Sequence, residues 1–313
     1  MQTIVIVGPT AVGKSDLGLL LAQAANGEIV SGDSVQVYRD FSIGSAKPSP
    51  ADRESVPHHL IDILDPDEPF SAARFQSLAR EAVKDIRERG RLPIVVGGTG
   101  LYIRAFLDPF DFPQPGTPGL LTKWTDLARR MGTPHLHALL REWDPESASL
   151  LHYNDKARII RALEVYESTH VPLSKQRAYN ERIYPPLENV MLVGLEMDRA
   201  LLYRRIEERC ELMIRQGLLE ETADLLKRGC SPSYKPMRSI GYRHGVDYLR
   251  GFTTRQEMER LFKRDTRRFA KRQITWFKRD PRVIWYNVNI LSKNRILNTL
   301  LDSCKCNKSP VKF

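Results

Sequence analysis

Eight residues near the start constrain this chain more than any others. Gly8-Pro9-Thr10-Ala11-Val12-Gly13-Lys14-Ser15 follows directly on the apolar run Thr3-Ile4-Val5-Ile6-Val7. The pattern is G-x-x-x-x-G-K-[ST] placed where it needs to be, between a buried strand and a helix. Gly8 and Gly13 let the turn wrap so that successive backbone N–H groups point inward. The helix that follows adds the positive end of its dipole. Lys14 supplies a point charge, and the Ser15 hydroxyl is placed to ligate magnesium. Such a turn binds a di- or triphosphate without saying which.

The first hundred residues continue as alternating strands and helices. Strands are predicted at Thr3–Val7, Glu28–Ser31, Leu60–Leu64 and Pro93–Val96, with helices near Ser15–Ala25 and from Ser71 through Ile86. Apolar or small residues at Ala72, Phe75, Leu78, Ala79, Ala82, Val83 and Ile86 recur at helical spacing behind the Ser71 cap. This alternation predicts an α/β fold, a phosphate-loop NTPase-like parallel sheet flanked by helices. Ligands on such sheets gather at the carboxyl ends of the strands, which brings the phosphate loop, Asp33 and Thr99 to one crevice.

From about Pro113 the pattern changes. Pro113, Pro115, Gly116, Pro118 and Gly119 read as a linker, and helices are predicted around Leu120–Arg130, His135–Trp143 and Asp155–Ser168. Strand character returns at Val190–Leu195 and briefly near Val283–Tyr286. The expected organisation is a discontinuous core (1–114 and 186–290), a small all-helical insertion (115–185) and a frayed polar tail (291–313).

Hydrophobic content of 42% and charged content of 27% are those of a globular protein. No apolar run approaches the roughly 20 residues needed to span a bilayer, and no signal peptide is recognisable before Thr3, so a cytoplasmic protein without a membrane partner is expected. The scattered Cys210, Cys230, Cys304 and Cys306 suggest neither a zinc site nor a disulfide framework. The net charge of +10 is local: residues 251–313 carry 16 Lys/Arg against 5 Asp/Glu, leaving the rest of the chain near neutrality. Arg264, Arg267, Arg268, Lys271 and Arg272 fall on adjacent turns, where they repel one another unless a polyanion intervenes. Nucleic acid is the usual one.

Individual residues sharpen this. Asp33, just past a strand end, can coordinate a metal, accept a proton or merely cap its turn. Thr99, in Gly97-Gly98-Thr99-Gly100, can contact a substrate or N-cap the next helix. Arg205 and Arg209, four apart, can reach a phosphate or pair with Glu208 and Glu211. The run Thr266–Phe277 interleaves cations with aromatics, which suits phosphate contact and stacking on unpaired bases, although Trp276 or Phe277 can equally face the core.

Taken together, these motifs resemble those of the tRNA dimethylallyltransferase family, the tRNA isopentenyltransferases. The matching runs are Gly8–Ser15, Asp33–Tyr38, Ile43–Pro48, Gly97–Tyr102, Asn154–Val165, Ile240–Tyr242 and Thr266–Phe277, in order over nearly the whole chain. The resemblance implies transfer of a dimethylallyl group from dimethylallyl diphosphate to the exocyclic amine of an adenine. That adenine is the one 3′ of the anticodon in tRNAs reading codons that start with U. It implies Asp33, Thr99 and Arg209 as catalytic residues, Asp33 being the base. Gly8, Pro9, Thr10, Ala11, Val12, Gly13, Lys14 and Ser15 would hold the diphosphate, with Mg2+ on Ser15. Contacts to the tRNA anticodon stem-loop would come from Asp33, Ser34, Val35, Gln36 and Thr99, from Arg158 and Arg161, from Arg238, Gly241, Tyr242 and Arg243, and from Lys271, Arg272, Gln273, Trp276 and Lys278. A monomer is expected.

Four positions depart from the family pattern. Ala157 stands where a glutamine is usual, Ser45 replaces threonine, and Leu121 falls where many members have an arginine, with Lys123 nearby as its substitute. His170 replaces glycine in Thr-Gly-x-Pro, so that turn is expected to take another backbone shape. A small-molecule or nucleoside kinase would also use the phosphate loop and Asp33, but has no use for the basic aromatic helix. A prenyltransferase acting on free adenine nucleotides would not need it either, and a non-enzymatic RNA-binding protein would leave the phosphate loop idle.

Overall fold

The computed structural model describes residues 2–108, 119–175 and 187–306. The chain divides into two compact units, one formed by Met1–Phe106 with Glu188–Phe313 and the other by Leu107–Leu187.

The first unit is built on a sheet of six parallel strands: β1 (Thr3–Val7), β2 (Gly27–Ser31), β3 (His58–His59), β4 (Leu92–Val96), β5 (Val190–Glu196) and β6 (Ile284–Asn287), in the order β3-β2-β4-β1-β5-β6. Val5 of β1 lies opposite Val95 of β4 on one side and Leu192 of β5 on the other. β1, β2 and β4 are buried along their whole length, as expected of parallel strands covered by helices. The helices of this unit are α1 (Lys14–Ala24), α2 (Pro50–Ser55), α3 (Ala72–Glu88) and α4 (Gly100–Leu107), the last running to the boundary with the second unit. Ser71 caps α3 by accepting from the Arg74 N–H at 3.1 Å, as its sequence predicts. Because every strand runs the same way, the exits of β1, β2 and β4 emerge at one edge. Gly32 and Gly97 pass so closely there that a Cβ on Gly97 would sit 2.8 Å from the Gly32 Cα.

Two expectations need correction. The strand predicted at Leu60–Leu64 is instead the two-residue β3, followed by an irregular segment with one bridge from Leu64 to Tyr38. Leu60 and Asp62 take positive φ (62° and 56°), which no strand tolerates, and Asp62 is held by Lys47 at 2.5 Å and Arg53 at 2.6 Å. The short apolar run that reads as a strand is instead a segment pinned by ion pairs. The tail as far as Cys306 is not frayed either, its last seven residues lying outside the described ones. Lys293–Cys306 forms a helix that packs on α1 and buries Ile296 and Leu300, four apart on one face. Polar residues on its other faces hid that stripe.

The second unit contains α5 (Leu120–Met131), α6 (Thr133–Trp143), α7 (Pro145–Leu150) and α8 (Lys156–Thr169). Of the predicted linker, residues 113–118 lie outside the described residues, and Gly119 N-caps α5. Its core is Trp124, Leu136, Leu140, Ile159 and Leu163, with Trp143 set edge-on to Trp124 and stacked on Tyr166. Buried Asp144 accepts from the Ser147 N–H at 3.1 Å, capping α7, and from the Ser174 hydroxyl at 2.6 Å. His170 ends α8 at φ 53°, ψ 17°. The turn therefore keeps the left-handed shape that a glycine would give it, contrary to expectation, and a side chain carries the strain.

Candidate active site

The first unit is completed by α9 (Arg199–Arg215), α10 (Leu218–Lys227), a 3-10 turn (Pro236–Arg238), α11 (Tyr242–Leu249), α12 (Arg255–Phe277) and α13 (Lys293–Cys306). These elements bring side chains to the strand exits from the sequence-distant half of the chain.

The phosphate loop leaves β1 through Gly8 (φ 141°), where a Cβ would meet the Leu195 carbonyl oxygen at 2.5 Å, and enters α1 through Gly13 (φ 99°). Only glycine fits the first position. Lys14 turns back over the loop and donates to the Pro9 carbonyl at 2.8 Å. Burial, with the Arg209 cation acting in the same direction, brings its ammonium down to about 7, against the pull of Asp33. Burial also lowers Arg209, opposed by Asp33. Arg209 makes no hydrogen bond or ion pair among the described residues, and Glu211, its suggested partner, pairs instead with Lys263 at 2.6 Å. Arg205 is exposed and lines neither cavity of the site. Two cations thus converge on the loop, and an anion there would be the natural complement.

Asp33 emerges from β2. Its Oδ1 accepts from the N–H groups of Val35 (2.8 Å) and Gln36 (3.3 Å), so it does cap its turn, while Oδ2 makes no hydrogen bond among the described residues. Gln36 braces the turn further, accepting from the Ser31 hydroxyl at 2.8 Å and donating to the Ser45 and Ala46 carbonyls at 3.2 and 3.1 Å. Capping fixes one oxygen and leaves the other for chemistry.

Asp33 and Arg209 line two adjoining cavities. The smaller, about 90 Å³, is a polar cup bounded by Thr10, Lys14 and Ser15; the larger, about 340 Å³, reaches Ser34, Val35, Thr99, Arg238 and Arg272. Met213, Phe262 and Phe269 give the larger chamber apolar walls. Gln273 straps the site together. Its Oε1 accepts from the Thr10 N–H at 2.8 Å, and its Nε2 donates to the Gly98 carbonyl at 2.9 Å. One loop N–H is therefore taken by protein. Thr99 opens α4 through its carbonyl, which accepts from Ile103 at 3.1 Å, and its hydroxyl makes no hydrogen bond among the described residues.

The residues expected to touch nucleic acid fall into groups. Lys271 and Arg272 have no acidic partner among the described residues, and Arg272 lies 5.8 Å from the Phe269 ring. Arg238 is exposed at the chamber, and Arg243 is exposed but 2.6 Å from Asp265. Arg267 is bound to Glu207, and Lys278 lies 3.2 Å from Glu196. Trp276 is partly exposed and its indole covers Gly100, while Phe277 is buried. Tyr242 and Gly241 are buried. The Tyr242 hydroxyl donates to Glu221 and accepts from the Gly44 N–H at 3.1 Å, so in this conformation it holds the 42–46 loop and offers a tRNA no surface. Gln273, 5% exposed, is held as a strap and lines the polar cup. Arg158 and Arg161 belong to the helical unit, where they lie 3.4 Å from Asp155 and 3.8 Å from Glu164. Lys123 is paired with Glu167 and lies over Trp124, so it is not a free stand-in for the arginine missing at Leu121.

Sequence reasoning missed Phe269 and Met213 as chamber walls and Glu221 as the anchor of the 42–46 loop, where it accepts from the Ile43 N–H at 2.9 Å. Met213 and Phe269 follow Ile206 and Phe262 by seven residues on α9 and α12, but nothing local distinguishes a wall from a core residue. Among the described residues no group of three His, Cys, Asp or Glu could hold a metal. The Ser15 hydroxyl beside Asp33 in the polar cup fits a magnesium that arrives with phosphate oxygens, and not a resident ion in a protein cage. No helix of the described residues is long and apolar enough to cross a membrane.

The IPP transferase family model matches residues 36–280, which leaves the phosphate loop and Asp33 ahead of the matched span. The chain is 52% identical over 309 residues to the tRNA dimethylallyltransferase of Desulfitobacterium hafniense (strain Y51), covering 98% of each. It is 49% identical over 307 residues to that of Carboxydothermus hydrogenoformans, again covering 98% of each. Among solved structures it is similar to the full-length tRNA isopentenylpyrophosphate transferase of Bacillus halodurans, with a TM-score of 0.72, 38% identity and 97% of both chains covered. It is similar as well to a eukaryotic dimethylallyltransferase acting on tRNA, with a TM-score of 0.82 and 27% identity over 99% of this chain and 81% of that one. A phosphate loop whose cup opens beside Asp33 into a larger chamber, in a chain matched over nearly its full length, leads to one assignment: this protein belongs to the IPP transferase family, the tRNA dimethylallyltransferases.

Proposed function

We propose that this protein transfers the dimethylallyl group of dimethylallyl diphosphate to the N6 amine of the adenine 3′-adjacent to the anticodon, in tRNAs reading codons that start with U. The products are N6-isopentenyladenosine and diphosphate. The observation that carries this reading is the position of Asp33 and Arg209 on the boundary between a polar cup and a chamber several times larger. The diphosphate occupies the cup, the adenine the chamber, and the allylic carbon lies between them.

An adenine amine is a poor nucleophile, so the C–O bond to diphosphate loosens as the new C–N bond forms. Lys14, Arg209 and the loop N–H groups meet the negative charge where it gathers on the leaving group. Ser15 would hold a magnesium ion, which when bound would supply further charge neutralisation there. The free oxygen of Asp33 takes the proton from the amine. The adenine leaves the anticodon stack to reach the chamber, as enzymes acting on a base require. Arg238, Arg272 and Lys271 meet the tRNA backbone, and the tRNA substrate supports a cytoplasmic location. Nuclease digestion of tRNA after reaction tests the assignment. Isopentenyladenosine should appear from a transcript with adenosine 3′ of the anticodon and not from one with guanosine there. Product on the second transcript overturns it.

Two further results follow from the geometry. With its ammonium at about 7 in the free enzyme, Lys14 must be protonated when it binds the diphosphate. Donor affinity therefore falls as pH rises above 7, by up to about tenfold per unit until the pKa of the complex is reached. Calorimetry in buffers of different ionisation heat should show proton uptake on binding, absent in Lys14→Ala. An affinity that is flat from pH 7 to 9 contradicts this. Lys271→Ala with Arg272→Ala should weaken all tRNAs alike and flatten the salt dependence of binding by roughly one unit per lost phosphate contact, leaving donor affinity unchanged. Filter binding at several salt concentrations decides it, and an unaltered slope removes these two residues from the interface.

A further inference from the structure

The helical unit carries a feature that the chemistry above does not use. The loop joining α7 to α8 presents His152 and Tyr153 stacked on each other, ring centroids 4.2 Å apart and 29° between planes. Both are exposed, Tyr153 to 51%. The pair is held rigidly. Buried His137 donates from Nε2 to the carbonyls of Ala148 and Leu151, both at 3.1 Å, fixing the start of the loop. The His152 Nδ1 accepts from the Asn154 N–H at 3.2 Å, fixing the ring itself. Directly after it come Lys156, Arg158 and Arg161, with Asp155 3.4 Å from Arg158 and Glu164 3.8 Å from Arg161. Arg158 and Arg161 edge a cleft of about 90 Å³ floored by Leu150, Leu151 and Leu173.

An exposed, pre-ordered aromatic stack costs hydrophobic exposure and contributes nothing to the core of its unit. Beside guanidinium groups set against an apolar floor, it has the composition of a seat for an unpaired nucleotide: a ring for the base and cations for its phosphates. A protein partner would want a broader apolar patch than two rings. We infer that the His152–Tyr153 stack, with Arg158 and Arg161, binds one unpaired nucleotide of the RNA substrate, Tyr153 taking the base. The ring would supply non-ionic grip at the end of the helix where Ala157 offers no polar side chain. This inference rests on the tRNA reading.

The test uses the full chain and an anticodon stem-loop RNA, with affinity read by fluorescence anisotropy. Tyr153→Ala and Tyr153→Leu should each weaken binding by roughly five- to a hundredfold, and Tyr153→Phe by less than twofold. The salt slope should stay that of the parent, because no ion pair is lost, and the KM for dimethylallyl diphosphate should not move. A stem-loop made abasic at the seated nucleotide should bind the parent and Tyr153→Ala equally well. Affinity for Tyr153→Ala within twofold of the parent overturns the seat. So does full affinity for Tyr153→Leu, which keeps apolar bulk but no π face, or an equal loss on a fully paired duplex. A parent that does not bind the stem-loop at all overturns the tRNA reading instead.

Discussion

Asp33→Asn slows single-turnover transfer at saturating donor by about 10²–10⁴ and leaves tRNA affinity within a few-fold of the parent. Asparagine keeps the Oδ1 that accepts from Val35 and Gln36, so the turn survives. What it removes is the second carboxylate oxygen and with it the ability to take a proton. Alanine confounds the two roles by also releasing the turn, and so is the poorer variant. Binding spread over Arg238, Lys271 and Arg272 should hardly register the loss of one charge at the chamber. A rate within threefold of the parent removes Asp33 from the mechanism.

The second large effect is on stability. Glu28 on β2 has a side chain only 1% exposed and carries a negative charge into the sheet. Arg89 grips it with both Nη atoms, one at 2.9 Å; Arg91 approaches to 3.0 Å and the His59 Nε2 to 2.7 Å. The Arg89 hydrogen bond, against the cost of burial and with help from His59, brings the carboxyl down to about 2. Its folded value lies below its ordinary one, so the stabilisation is complete above about pH 4.5 and is lost as pH falls towards 2. Glu28→Gln should cost about 3 kcal/mol at neutral pH, since it removes the buried anion that Arg89 and Arg91 share, although Arg89 keeps Asp85 at 2.7 Å. The variant should also lose part of the parent's acid sensitivity between pH 4.5 and 2. Urea denaturation at pH 7 and pH 3 measures both. A variant as stable as the parent at pH 7 shows the cluster to be ornamental.

Much of the fold and cup could be read from local pattern, because a buried parallel strand, a glycine turn and a capped helix each carry short-range signatures. The phosphate loop, the Ser71 cap and the run Pro93–Val96 are of this kind. The errors arise where tertiary contacts override local preference. Leu60–Leu64, apolar on both sides of Asp62, reads like a short buried strand, but the ion pairs of Asp62 with Lys47 and Arg53 hold it in left-handed turns. The helix at Lys293–Cys306 buries only a narrow stripe, visible once α1 is beside it. His170 keeps a glycine's conformation without being one.

At the site the limit was different. Residue types were legible, but their direction was not. Tyr242 and Gln273 belong to runs that read as nucleic-acid contacts, yet both point inward, one to Glu221 and one to Thr10 and Gly98. Arg267 and Lys271 sit four apart in the same basic run. The position of Glu207 on α9 assigns the first to an ion pair and leaves the second free. Such partners are 21 residues away for Tyr242 and 60 or more for Arg267 and Gln273, and no spacing rule reaches them.

The central claim is that a phosphate loop of the nucleotide-binding kind here holds a prenyl diphosphate whose allylic carbon is attacked by tRNA. The most direct measurement incubates the purified protein and magnesium with dimethylallyl diphosphate labelled in the prenyl group or with ATP labelled in the γ-phosphate, each with and without tRNA. The account predicts prenyl label in tRNA, stoichiometric release of diphosphate, dependence of both on tRNA, and no turnover of ATP. Steady hydrolysis of ATP, or phosphate label on a nucleoside, with none of the prenyl label reaching tRNA, would contradict it.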